Sequence, residues 1–117
     1  MTKIGIILGS TRPGRRGEQV ARWVHTAAVR RADAEFAVVD LLDHPLPYLH
    51  EPVPAAMAQG RHRHARTTAW AQVIASFDGF ALVTPEYNQS TPGVLKNVVA
   101  RSAALAPLRT AAAEAVD

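Results

Sequence analysis

Three short apolar runs constrain the fold of this chain more strongly than any other feature of its sequence. They occupy residues 3–8, 34–41 and 78–84. Segments with apolar residues at helical spacing alternate with them, at 18–31, 65–77 and 92–98. This β-α-β-α-β-α order favours a parallel sheet that is covered by helices on both faces.

The C-terminal residues 99–117 contain no fourth apolar run. They are rich in alanine and interrupted by Pro107, a pattern that predicts a helix, a break and a second, frayed helix. A chain of 117 residues has the length of one domain. We therefore predict a single α/β domain with three layers, a parallel sheet of three strands and a helical tail over 98–117.

The composition excludes several classes of protein. The absence of cysteine excludes a disulfide scaffold, a thiolate metal site and a cysteine nucleophile. No stretch approaches the ~20 apolar residues of a membrane span, and no signal peptide pattern is present. The net charge of +3 permits an anionic partner, but no nucleic-acid-binding motif accompanies it. We expect a cytoplasmic protein that binds neither membranes nor nucleic acid.

The first run continues into "GSTRPGRRG", residues 9–17, which we call the first loop. It lies at the carboxyl end of a strand and leads into a helix N-terminus, where unpaired N–H groups and the helix dipole favour an anion. Its glycines allow close approach of the backbone, and Arg12, Arg15 or Arg16 supplies further donors. The pattern predicts a site for a phosphomonoester; the alternative is an arginine-rich surface turn.

Related phosphate-binding motifs do not fit the first loop. Gly9 and Gly14 have the glycine spacing of a nucleoside-triphosphate loop, but Arg15 and Arg16 stand where that motif needs Lys and then Ser or Thr. The dinucleotide fingerprint GxGxxG is also absent. Without that fingerprint, Asp40 is interpreted as the end of a strand rather than as a ribose ligand.

The third run continues into a second loop of the same kind, "TPEYNQSTPG", residues 84–93. If the strands are ordered 2-1-3, the first and second loops flank the same crevice. The second loop offers the amide of Asn88, the hydroxyls of Ser90 and Thr91, and the ring of Tyr87. These groups suit the edge and face of a planar heterocycle whose phosphate binds in the first loop.

The segments "GSTRPGRRGEQVARWV" and "FDGFALVTPEYNQSTPGVLKN" resemble the NADPH-dependent FMN reductase family. The family consists of flavodoxin-like flavoproteins and includes azoreductases and quinone reductases. The resemblance, from about Lys3 to Asn97, implies a flavodoxin-like FMN-binding domain, with its three strands in the order 2-1-3 and with the cofactors FMN and NAD(P)H. It also implies an oxidoreductase that passes hydride through FMN to a quinone, azo or flavin acceptor, in a homodimer or homotetramer.

The resemblance assigns two groups of cofactor-binding residues. Those that surround the FMN phosphate are Ser10, Thr11, Arg12, Arg15, Arg16, Gly17, Glu18 and Gln19. Those that line the flavin ring are Pro85, Glu86, Tyr87, Asn88 and Ser90. The resemblance implies neither a catalytic side chain nor a metal ligand, because the cofactor carries the electrons.

Beyond about Asn97 the sequence departs from the family pattern, which continues into a fourth strand and a further loop that touches the flavin. We expect a C-terminus that is shortened or altered relative to the family, and a third strand with an unpaired edge. Either residues 99–116 cover that edge, or another subunit does, or the domain is marginally stable. This leaves an alternative function: a truncated, non-catalytic member with weak or no FMN binding that acts as an interaction protein.

Overall fold

The computed structural model describes residues 1–46, 65–100 and 111–115. Within these ranges the four strands are β1 Thr2–Leu8, β2 Ala34–Asp40, β3 Gly79–Pro85 and β4 Ala111–Ala115. The three α-helices are α1 Gly17–Ala28, α2 Ala65–Ala75 and α3 Gly93–Ala100, and a 3-10 helix, Leu41–Asp43, follows β2. No helix in the described ranges has the length and apolar character needed to cross a membrane.

The strands form one parallel sheet in the order β2-β1-β3-β4. The prediction of a parallel sheet with the order 2-1-3 is therefore confirmed. At the carboxyl end of β1, Leu8 stands opposite Asp40 of β2 on one side and opposite Val83 of β3 on the other. This register places the segments that follow β1, β2 and β3 at one edge of the sheet.

The prediction of a wholly helical tail without a fourth strand is wrong. Ala111–Ala115 is strand β4, which pairs with β3 in a register that sets Ala113 opposite Val83. Alanine is depleted in strands, and a run of alanines shows no alternation that reveals one. An unpaired edge of β3 nevertheless presents N–H and C=O groups that a fourth strand satisfies, so tertiary pairing overrides local preference. The predicted break at Pro107 lies outside the described residues.

Strand β1 lies at the centre of the core because both of its faces are covered. Ile7 is fully buried on the face where Trp70 of α2 and Leu95 of α3 pack. Ile6 and Leu8 are buried on the opposite face, against Ala21 of α1. The continuous apolar sequence of β1 follows from this burial on two sides.

The two tryptophans have different environments. Trp70 is buried, and its ring meets the ring of His44 edge-to-face at a centroid distance of 5.2 Å. Trp23 projects from α1 with 70% of its surface exposed. Trp70 is therefore a core residue, whereas Trp23 lies outside the core formed by the described residues.

Substitution of Ile7 tests the position of the core. Ile7→Ala should lower the free energy of unfolding by about 2–5 kcal/mol, because the residue is fully buried and leaves a cavity. Val38→Ala on β2 is the control, since Val38 is 43% exposed. It should cost under about 1 kcal/mol in urea unfolding. Equal losses for both variants would contradict the assigned core.

Candidate functional site

The first loop is attached to β3 at its first residue. The Gly9 N–H donates to the Val83 carbonyl oxygen at 2.8 Å. A β-carbon at Gly9 would lie 2.9 Å from that oxygen and 3.0 Å from Cδ2 of Leu95. Glycine is therefore required here by close approach to the neighbouring strand and to α3.

Hydrogen bonds inside the first loop give it a compact conformation. The buried Ser10 hydroxyl oxygen accepts from the Arg12 N–H at 3.4 Å, and the Arg15 N–H donates to the Arg12 carbonyl at 3.2 Å. Gly14 takes a left-handed conformation with φ of 72°, which suits glycine. The loop is thus a folded turn ahead of α1.

Helix α1 begins directly after this turn. Arg16 is its N-cap and supplies no side-chain hydrogen bond to the helix end, since a guanidinium has no acceptor. Gly17 is buried, and Glu18 and Gln19 are exposed in the first turn, where Glu18 pairs with Arg22 at 3.3 Å. The positive end of the α1 dipole therefore adjoins the first loop.

The three arginines of the first loop have different roles. The Arg12 and Arg16 side chains are exposed at the surface. The Arg15 side chain is only 7% exposed, and its Nη1 donates to Asp40 Oδ1 at 2.8 Å while Nη2 donates to Oδ2 at 2.6 Å. Nη1 also donates to the Ser10 carbonyl at 2.6 Å. Arg15, predicted as a phosphate ligand, is thus engaged with the end of β2.

Sequence reasoning interpreted Asp40 only as a strand end and missed this contact. The side chain has a further partner, because Oδ1 also accepts from the Leu42 N–H at 3.0 Å and caps the 3-10 helix. The register that pairs Leu8 with Asp40 brings the carboxylate beside the first loop. The available signal was an acidic residue at the end of a strand next to an arginine-rich loop.

The Arg15–Asp40 contact stabilises the charged form of both groups. The hydrogen bonds from Arg15 hold the pKa of Asp40 below its usual range, and the Leu42 N–H contributes in the same direction. The same hydrogen bonds raise the pKa of Arg15. Both side chains therefore remain ionised at neutral pH, as a bidentate ion pair.

The second loop begins with the buried Thr84 and Pro85 and forms a tight turn. Tyr87 and Ser90 exchange backbone hydrogen bonds of 2.9 and 3.0 Å. Asn88 and Gln89 between them have φ of 51° and 62°, as in hairpin turns with left-handed central residues. The Glu86 carboxylate accepts from the Gln89 N–H. Asn88 and Ser90 are exposed on this turn, and Tyr87 is half-buried.

A cavity of about 670 Å³ adjoins the first loop at Thr11. Its wall is mainly apolar. Two polar side chains of the wall bond to the segment that follows the 3-10 helix. Arg66 Nη1 donates to the Pro45 carbonyl at 3.2 Å, and Asn97 Nδ2 donates to the Leu46 carbonyl at 3.4 Å. Ligand pockets commonly have this size and character. The described lining residues are Thr11, Leu41, Leu42, His44, Pro45, Leu46, Arg66, Val94, Asn97 and Val98.

Comparison with protein families identifies a family whose pattern spans nearly the whole chain. The model of the family described as NADPH-dependent FMN reductase matches residues 2–115. This chain belongs to the NADPH-dependent FMN reductase family. The match covers both loops and strand β4, so the family pattern continues beyond Asn97, where the sequence resemblance was expected to end.

Curated relatives carry reductase names. An NAD(P)H-dependent FMN reductase of Schizosaccharomyces pombe is 38% identical over 97 residues, which are 83% of this chain and 48% of that protein. A quinone reductase of Escherichia coli is 36% identical over 93 residues, or 80% of this chain and 46% of that protein. The chain thus spans about half the length of these family members.

Solved structures agree on a flavodoxin-like fold. The flavoenzyme NAD(P)H:(acceptor) oxidoreductase FerB of Paracoccus denitrificans matches 97% of this chain and 60% of its own, with a TM-score of 0.72 and 18% identity. An azoreductase of Bacillus anthracis matches 86% of this chain and 55% of its own, with a TM-score of 0.59 and 16% identity. The flavodoxin-like α/β class is therefore confirmed.

A matched pair of glycine substitutions tests the attachment of the first loop. Gly9→Ala should destabilise the chain by about 1–3 kcal/mol, because the added methyl meets a backbone carbonyl that cannot move freely. Gly93→Ala is the control, since a β-carbon there meets nothing within 4 Å. Urea unfolding measures both; a neutral Gly9→Ala would refute the close approach.

The Arg15–Asp40 contact predicts a defined dependence of stability on pH. The pKa of Asp40 is lowered on folding, so its contribution is present above the unfolded pKa of about 3.9 and is lost as pH falls through the folded value. The unfolding free energy of wild type should exceed that of Asp40→Asn by about 1–3 kcal/mol at pH 7. Urea unfolding should show this difference unchanged to pH 5 and shrinking below about pH 4. A difference that grows on acidification would contradict the assignment.

Proposed function

We propose that this chain binds FMN and works as an NAD(P)H-dependent oxidoreductase that reduces a quinone, azo or flavin acceptor. One observation carries the proposal: the hydrogen bond from Gly9 to Val83 joins the first loop to β3, which itself leads into the second loop. Two loops that suit a phosphate and a planar ring thus emerge from adjacent strands at one edge of the sheet, where open parallel sheets bind ligands.

The first loop would hold the FMN phosphate. The N-terminus of α1 would supply the dipole, and the backbone N–H groups of Ser10, Thr11 and Gly17 are the proposed donors to the phosphate. Arg12 is exposed and forms no salt bridge within the described part of the chain. Its guanidinium therefore supplies a positive charge for the phosphate, and Arg16 lies close by in the sequence.

The second loop would position the flavin ring. Its turn is held by the Tyr87–Ser90 hydrogen bonds and by the Glu86 carboxylate, so the exposed Asn88 amide and Ser90 hydroxyl project from a fixed backbone. Half-buried Tyr87 offers an apolar ring face beside Pro85. A rigid support of this kind orients a ligand at low entropic cost.

Bound FMN would supply the redox chemistry, accepting hydride from NAD(P)H and passing two electrons to the acceptor. The side chains of this chain would bind and orient FMN, and none of them is proposed as an acid or a base. The relatives' names support reductase chemistry, and they include FMN reductases and a 2-hydroxy-1,4-benzoquinone reductase. Quinones are accordingly the first acceptors to assay.

Titration with FMN and with riboflavin, which lacks the phosphate, tests this function. Arg12→Ala should weaken FMN binding about tenfold or more, because hydrogen bonds to charged groups contribute about 1.5–3 kcal/mol. It should leave riboflavin binding unchanged. Quenching of flavin fluorescence measures both affinities.

Arg31→Ala is the matched control, since Arg31 is an exposed arginine that pairs with Asp33 before β2. It removes the same charge and should leave both flavin affinities unchanged. The FMN-loaded chain should also oxidise NADPH when benzoquinone is present. A wild-type chain that binds no FMN would refute the enzyme function and favour the non-catalytic alternative.

A further inference from the structure

We propose that Arg15 and Asp40 form a positioning pair that sets the geometry of the first loop for the FMN phosphate, and that Arg15 is not itself a phosphate ligand. The proposal rests on the FMN function above and deepens it. It assigns a role to Asp40, and it separates Arg15 from Arg12 although both belong to one arginine-rich loop.

The contacts of the pair join three segments of the chain. Arg15 comes from the first loop and donates to both oxygens of Asp40 at the end of β2. Arg15 also donates to the Ser10 carbonyl, and Asp40 accepts from the Leu42 N–H of the 3-10 helix. One ion pair therefore fixes where the first loop lies relative to the end of β2.

Burial and charge argue against a direct role for Arg15 in phosphate binding. The side chain is 7% exposed, and that of Asp40 is 25% exposed. To reach a phosphate, the Arg15 guanidinium would break its hydrogen bonds to both Asp40 oxygens and to the Ser10 carbonyl, and Asp40 would keep the Leu42 N–H as a donor to Oδ1. Loss of a partner from a largely buried ion pair is strongly unfavourable. The carboxylate also neutralises the guanidinium, so the pair adds little net charge to the loop.

The pair also determines the shape of the space beside the loop. Thr11 follows Ser10, Leu41 follows Asp40, and both Thr11 and Leu41 line the cavity of about 670 Å³. The hydrogen-bonded network thus runs from the Ser10 carbonyl, next to Thr11, to the N–H of Leu42, which itself lines the cavity. Loosening the pair should release both ends of this network.

Asp40→Asn tests the proposal because the two roles of Arg15 predict opposite results. This substitution keeps the shape of the side chain and removes a negative charge near the phosphate. With a positioning pair, FMN binding weakens by about tenfold or more, while riboflavin affinity changes less than about threefold. If Arg15 is a phosphate ligand restrained by Asp40, the freed guanidinium tightens FMN binding, and that result overturns the proposal.

Arg15→Lys is the second variant, and it keeps the positive charge but loses the two-pronged contact. A positioning pair predicts that Arg15→Lys and Asp40→Asn both weaken FMN binding. Opposite effects of the two variants, or no effect of either, overturn the proposal. Asp33→Asn is the control. Asp33 also forms a two-pronged pair with an arginine, Arg31, but that pair is exposed and lies just before β2, whereas Asp40 ends that strand.

Amide hydrogen exchange of the FMN-free chain keeps the test independent of the proposed function. Asp40→Asn should speed exchange about tenfold or more at the amides of Arg15, whose N–H bonds within the first loop, and of Leu42, whose N–H bonds to Asp40. The amides of β1 should be unchanged, which also shows that the variant is folded. Unchanged exchange at both Arg15 and Leu42 overturns the positioning role, even if wild-type FMN binding is normal. If wild type fails to bind FMN, the proposed function is refuted, and the exchange rates still decide whether the pair positions the first loop.

Discussion

The pairing of β1 with strands on both sides, together with burial of both its faces, is the constraint on which the rest of the structure depends. Ile6, Ile7 and Leu8 contact opposite helix layers in succession, so neither layer packs without this strand. The first loop begins where β1 ends and is joined to β3 by the Gly9 N–H. A loop that begins at the buried end of a central strand is held in place by that strand.

The chemistry of the site then depends on how the first loop distributes its positive charge. Three arginines lie within five residues, and the side chain of one of them, Arg15, is buried against the carboxylate of Asp40. Arg12 and Arg16 stay exposed beside the positive end of α1. Arg15 thus shapes the loop, whereas the exposed Arg12 is the arginine proposed to meet the phosphate, although the two lie only three residues apart.

Much of the fold could be predicted because its signals are local. The apolar runs of β1, β2 and β3 and the helical spacing of α1, α2 and α3 predicted the elements and both loops, and the family resemblance implied the order 2-1-3. Strand β4 could not be predicted, since alanine carries no strand signal and its pairing comes from the free edge of β3. The Arg15–Asp40 contact was also missed, because it joins residues 25 apart through the register of two strands.

Amide chemical shifts of the labelled chain, recorded during titration with FMN and then with riboflavin, test the central claim most directly. The account predicts that FMN shifts the amides of residues 9–17 and of residues 86–90. Riboflavin should shift only the second set, because it has no phosphate for the first loop. Shifts caused by FMN that leave residues 9–17 unaffected would contradict the assignment of the first loop as the phosphate site.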